Sequence, residues 1–93
     1  MNFNVYLILT KRNKRYITYV GYTKDIKKRL ILHNKSKGAK FTRGNYWKVI
    51  YKKKYLTKQL AMKAEYKLKK NFKLRNSLKQ KYLNNENCSI TSL

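Results

Sequence analysis

Three carboxylates, Asp25, Glu65 and Glu86, stand against 25 lysines and arginines in a chain of 93 residues whose net charge is +22. Glu65 is the oddest of the three. Its neighbours Lys63, Lys67, Lys69 and Lys70 are all cationic, and at helical spacing it falls beside an apolar stripe through Ala61 and Leu68. The plainer reading is an i, i+4 ion pair with Lys69, worth about 0.3–0.5 kcal/mol. The other is a ligand for one Mg²⁺ that keeps most of its waters and takes its remaining ligands from a substrate phosphate. Arg29 and His33 are four apart, so on a helix they project from one side. A guanidinium there can hold phosphoryl oxygens bidentately and stabilise the charge that grows on them, which lysine does less specifically. The plainer alternatives are a solvated helix face for Arg29 and, for His33, a partly buried ring that completes an apolar stripe. Tyr6 and Tyr19 fall on neighbouring strands, and with nine tyrosines in the chain each is first a packing or base-stacking candidate. Close to several cations, a phenol has its pKa of about 10 pulled down, which makes a general base.

The elements that must position these groups can be read from periodicity. Residues 3–9 alternate, with Phe3, Val5, Leu7 and Leu9 on one face and Asn4, Tyr6 and Ile8 on the other. A polar stretch from Lys11 to Arg15, where Asn13 tolerates a left-handed turn, leads into Tyr16–Val20 and stops at Gly21, which predicts a hairpin. Thr23 stands where the cap of a first helix belongs, with Asp25 in its first turn and Ile26, Leu30 and His33 at helical spacing. Between Lys35 and Gly44 lies a basic, glycine-bracketed loop with Phe41 inside it, and Lys37, Lys40, Phe41 and Arg43 suit phosphate contact and base stacking. Trp47, Val49 and Tyr51 alternate with Lys48, Ile50 and Lys52 as a third strand. Thr57 caps a helix striped by Leu60, Ala61, Ala64 and Leu68. Leu74, Leu78 and Tyr82 carry the pattern to about Leu83, either as the same helix bent near Asn71 or as a separate one. The expected fold is a small α+β domain over residues 1–83, a three-stranded mainly antiparallel sheet flanked by helices in the order β-β-α-β-α-α, followed by a polar, flexible tail at 84–93.

Composition narrows the function classes. A chain this short buries only about 60–65% of its unfolded surface, and its self-repulsion calls for a polyanionic partner. Three carboxylates are too few for an EF-hand or a two-metal site, and one Cys with one His excludes a conventional structural zinc site. Cys88 has no partner for an internal disulfide, no apolar run reaches 18 residues, and the opening Met1-Asn2-Phe3-Asn4 lacks a basic leader. These features predict a protein of the reducing cytoplasm, associated with the nucleoid and without a membrane partner; its oligomeric state is left open.

The motifs Val5-Tyr6-Leu7, Tyr19-Val20-Gly21, Asp25-Ile26-Lys27-Lys28-Arg29-Leu30 and His33-Asn34 resemble those of the GIY-YIG endonuclease family. Lys37–Gly44, Lys48-Val49-Ile50-Tyr51 and Ala61-Met62-Lys63-Ala64-Glu65 extend the resemblance, which looks like the compact single-domain bacterial branch and covers roughly residues 3–75. It implies that Tyr6 and Tyr19 stand for the tyrosines of the first and second motifs, Arg29 for the catalytic arginine, Glu65 for the metal-binding glutamate, and His33 for a histidine beside the scissile phosphate. Asn4 and Leu7 replace the outer Gly and Tyr of the first motif, which puts Tyr6 at a position normally held by Ile. The implied activity is hydrolysis of DNA to 5′-phosphate and 3′-hydroxyl ends with one divalent ion, Mg²⁺ or alternatively Mn²⁺. The implied substrates are single-stranded or branched DNA, with RNA as a further class, and the implied setting is DNA repair or processing. The competing expectation is a non-catalytic RNA-binding or DNA-binding protein, for which a charge of +22 and many tyrosines are ordinary. A basic partner of anionic membranes or acidic proteins is disfavoured, because the cations are spread along the chain rather than gathered on one amphipathic helix.

Overall fold

The computed structural model describes residues 2–91. Its elements are β1 (Phe3–Arg12), β2 (Arg15–Thr23), α1 (Ile26–Asn34), a 3₁₀ turn (Lys40–Thr42), β3 (Lys48–Tyr55), α2 (Lys58–Lys70) and α3 (Phe72–Thr91). The order β-β-α-β-α-α and the α+β class are those expected, and both strand pairings are antiparallel. β1 lies in the middle, in the order β2-β1-β3. Every residue from Asn4 to Thr10 is therefore buried.

Two layers cover this strand. Val5 and Leu7 pack with Val20 against Ala61 and Leu68 of α2, and Leu78 of α3 borders the same cluster. The alternate residues Tyr6 and Ile8 pack on Trp47, with Tyr19, Ile26, Leu30 and Val49 around them. Fully burying an apolar side chain of this size contributes about 1.5–3 kcal/mol. The alternation of β1 thus decides which side chains face α1 and the basic loop.

Register follows from the turn. Asn13 (φ 50°) and Lys14 (φ 68°) are both left-handed, the geometry of a two-residue hairpin loop whose twist matches the strands it joins. With Arg12 opposite Arg15, Tyr6 falls opposite Gly21 and Ile8 opposite Tyr19. A slip of one residue would turn Tyr19 to the other face.

Four local details differ from the sequence expectation or resolve it. The cap of α1 is Asp25, whose side chain accepts from the Lys28 N–H at 3.1 Å, rather than Thr23, which closes β2. Thr23 instead braces the cap by accepting from the Asp25 N–H at 3.3 Å. In β3 the simple alternation fails, because Leu7 pairs with Tyr51 while Ile8 pairs with Val49. Ile50 is thus the extra residue of a bulge, so Val49 joins the Tyr6 cluster while Ile50 and Tyr51 join the Val5 cluster. Asn71 ends α2 and its side chain accepts from the Leu74 N–H at 3.0 Å, so the third helix is separate from the second. Finally, α3 runs to Thr91 rather than stopping near Leu83. No Pro or Gly interrupts 84–91, so nothing covalent ends the helix once it has formed. Ser92 and Leu93, the end of the expected tail, lie outside the described residues.

Candidate active site

Tyr6, Tyr19, Arg29, His33 and Glu65 all line one cleft of about 500 Å³, together with Phe3, Gly21, Tyr22, Thr23, Lys24, Ala39 and Lys58. β1 supplies Tyr6, β2 supplies Tyr19, α1 supplies Arg29 and His33, and α2 supplies Glu65 from the opposite layer. Another cavity, about 380 Å³, opens toward the hairpin end of β1 among Leu9, Thr10, Lys11, Tyr16, Tyr46, Lys48, Tyr82 and Leu83. It has no carboxylate, histidine or arginine, so it offers neither a usual metal ligand nor a guanidinium for phosphoryl oxygens.

Tyr6 and His33 form the centre of the cleft wall. Both are buried, at 3% and 1% exposure, and the Tyr6 hydroxyl lies 2.9 Å from His33 Nε2. The other ring nitrogen, Nδ1, lies 2.8 Å from Thr42 Oγ1. Tyr19 meets His33 edge-on at 5.4 Å between ring centroids, and its own ring is stacked on Phe41 at 5.9 Å. Two glycines make room for this pair. A Cβ on Gly21 would collide with the Tyr6 ring and hydroxyl, and one on Gly38 would collide with the His33 ring. The absence of a side chain at Gly21 lets a tyrosine lie flat across the strand beside it.

Electrostatics corrects one expectation. The phenol of Tyr6 is raised above its ordinary value of 10.0, not pulled down, because burial outweighs the Arg29 charge and Tyr19 and Glu65 act in the same direction as burial. Most of the chain's cations are solvated and do not reach this oxygen; Arg29 is the one that opposes. His33 is lowered from 6.5, first by burial and then by Arg29. At neutral pH the pair is therefore a neutral phenol beside a neutral imidazole. A histidine buried neutral binds its proton more weakly folded than unfolded, so stability rises with pH up to about 6.5 and acidification below that value weakens the fold. Denaturant midpoints for this chain should fall as pH drops below 6.5. His33→Gln should flatten that part of the profile, since His33 is the single histidine.

Glu65 makes the ion pair expected with Lys69 and also lines the cleft. Its Oε1 lies 3.4 Å from Lys69 Nζ, and its charge is near enough to act on the Tyr6 hydroxyl. Among the described residues no group of three His, Cys, Asp or Glu side chains gathers anywhere, so no closed metal cage is built by protein ligands. An open cleft with one carboxylate suits an ion such as Mg²⁺, which commonly binds one or two carboxylates and completes its shell with water and substrate phosphate.

The basic loop is folded against the site. Asn34 clamps Trp47, donating to its carbonyl at 3.3 Å and accepting from its N–H at 2.6 Å, while Ser36 accepts from the Gly44 N–H at 2.9 Å. Trp47 is fully buried and its indole donates to the Thr42 carbonyl at 2.9 Å. Lys37, Lys40 and Arg43 remain exposed, and Phe41 is 50% exposed with Arg12 at 5.8 Å from its ring. Sequence reasoning missed Thr42, Gly38 and Arg12. A threonine after an aromatic carries no signal of its own, whereas Gly38, five residues after His33, was a visible hint of close backbone approach.

Comparison with known proteins gives the family. The model of the GIY-YIG catalytic domain matches residues 2–82. The UPF0213 protein of Streptococcus pneumoniae serotype 4 is 42% identical over 72 residues, which are 75% of this chain and 71% of that protein. The UPF0213 protein of Oceanobacillus iheyensis is 46% identical over 52 residues, 55% of this chain; the match spans 60% of that relative's length. The solution NMR structure of a UPF0213 protein from Bacillus halodurans is 33% identical with a TM-score of 0.47, covering 86% of this chain and 84% of that one. Among the described residues no helix is long and apolar enough to cross a membrane. With its family model spanning both layers of the cleft from β1 to Tyr82, the chain belongs to the GIY-YIG family.

Proposed function

We propose that this chain is a metal-dependent endonuclease that hydrolyses DNA phosphodiesters to 5′-phosphate and 3′-hydroxyl ends, acting on single-stranded or branched DNA. The observation that carries the reading is the convergence of a Tyr–His pair, an arginine and a carboxylate on one cleft. Water attacks phosphorus in line and the 3′ oxygen leaves with the bonding pair, taking a proton from solvent to become the 3′-hydroxyl. Tyr6 takes the proton of the attacking water as it passes its own to Nε2 of His33, which is neutral and already within 2.9 Å. Arg29 faces the charge that develops on the phosphoryl oxygens. Glu65 would hold one Mg²⁺ or Mn²⁺, which when bound supplies further positive charge to the same oxygens. Phe41, with one face on Tyr19 and half its surface free, offers an unpaired base a stacking platform next to Lys37, Lys40 and Arg43.

The test is purified chain mixed with end-labelled single-stranded, branched and duplex DNA and with RNA, in Mg²⁺ or in EDTA. Shortened products in Mg²⁺ alone, fastest on single-stranded or branched DNA, are the expected result. Retardation without shortening in both conditions would replace the enzyme with a non-catalytic nucleic-acid binder.

A further inference from the structure

Behind Tyr6 a chain of close contacts runs through His33 to Thr42, a residue that does not line the cleft. Thr42 Oγ1 has three close partners: the Ala39 carbonyl at 2.9 Å, the Ala39 N–H at 3.2 Å and His33 Nδ1 at 2.8 Å. A hydroxyl has one proton, and a carbonyl oxygen has none to give. The contact with the Ala39 carbonyl therefore consumes the Thr42 proton, and the hydroxyl can only accept from its other two partners. We propose that Thr42 is a positioning residue that holds His33 as the Nδ1–H tautomer and so turns the bare Nε2 lone pair toward the Tyr6 hydroxyl. The inference rests on the hydrolase reading and extends it to a residue outside the cleft.

The consequence is a one-way relay. Donation runs from Tyr6 to His33, from His33 to Thr42 and from Thr42 to a main-chain carbonyl that cannot pass a proton on. When Nε2 takes the Tyr6 proton, the imidazolium has both N–H groups already paired, one with Thr42 and one with the Tyr6 oxygen, which has regained a proton from the attacking water. In the opposite tautomer Nε2 would carry a proton and confront the Tyr6 hydroxyl as a donor, and the relay would have no acceptor. Thr42 is fully buried and held by the short 3₁₀ turn, so its hydroxyl has no solvent to exchange partners with.

His33 is the single histidine of the chain, so a long-range ¹H–¹⁵N correlation spectrum of the ¹⁵N-labelled full chain at pH 7.5 reports this ring without assignment. The native chain should show a protonated Nδ1 and an unprotonated Nε2. Thr42→Ser should keep that pattern and near-native cleavage. Thr42→Val, which keeps the shape and loses the acceptor, should shift the ring toward Nε2–H and lower kcat about 10²-fold with KM unchanged. A native ring protonated on Nε2 overturns the proposal whatever the variants do, as does a folded Thr42→Val chain that keeps both tautomer and rate. A native chain with the stated tautomer that leaves all nucleic acids intact upholds the hold of Thr42 on His33 and overturns the hydrolase reading.

Discussion

Glu65→Gln should bind single-stranded DNA as tightly as the native chain and cut it at least about 10²–10³-fold more slowly, the cost of losing one electrostatic stabiliser. The substitution keeps the side chain's size and removes only its charge. What it breaks in the fold is the 3.4 Å contact with Lys69, an i, i+4 pair whose lysine is 55% exposed and whose contribution is about 0.3–0.5 kcal/mol. A hundredfold loss of rate therefore cannot come from unfolding. Binding should survive for an independent reason. Affinity for DNA is carried by phosphate neutralisation, with a salt slope of about −0.7 per contacted phosphate on single strands, and the substitution leaves all 25 lysines and arginines in place. Single-turnover cleavage in Mg²⁺ alongside anisotropy titrations at two salt concentrations separates the two effects. A Glu65→Gln chain that cuts at the native rate would remove the metal-binding role from this residue and leave the ion pair as its whole function.

The reach and the limits of sequence reading can be seen on particular residues. Val5-Tyr6-Leu7 was legible because a strand's period of two is a local property, and Thr57 was legible because a cap acts within its own turn. Asp25 was misplaced by two residues, since Thr23 and Asp25 are both good caps and the strand claims Thr23. The bulge at Ile50 was not legible at all. It depends on β1 taking the central place in the sheet, and nothing within residues 48–52 records which strand will lie beside them. The site divides in the same way. Five residues could be selected for what their types can do, but the direction of the Tyr6 pKa shift depends on burial, which is a sum over the whole fold. The partnership of His33 with Thr42 depends on a loop conformation fixed by Asn34 and Trp47 from outside it.

Tyr6→Phe isolates the first proton transfer, and the expected loss is about 10²–10⁴-fold in kcat, the range over which a positioned acid–base group acts. Phenylalanine preserves the ring that fills the space above Gly21 and the edge-on contact with His33 at 5.9 Å, so the packing argument for a structural collapse is weak. It leaves Nε2 of the buried His33 without its partner, which costs about 1–3 kcal/mol. The pH profile of the native chain supplies the second half of the prediction. Because His33 must be neutral to accept a proton and its pKa is held below 6.5, the acid limb of kcat should lie below that value, with full activity at neutral pH. Because burial raises Tyr6 above 10.0, ionisation of its hydroxyl should cause no alkaline fall below pH 10. In Tyr6→Phe the residual rate should lose its acid limb, since His33 then has no phenol to relay from. An acid limb above 6.5 in the native chain, or a phenylalanine variant within a few-fold of the native rate, would show that water is deprotonated by some other group. The buried Tyr–His pair would then be a packing contact with a hydrogen bond in it.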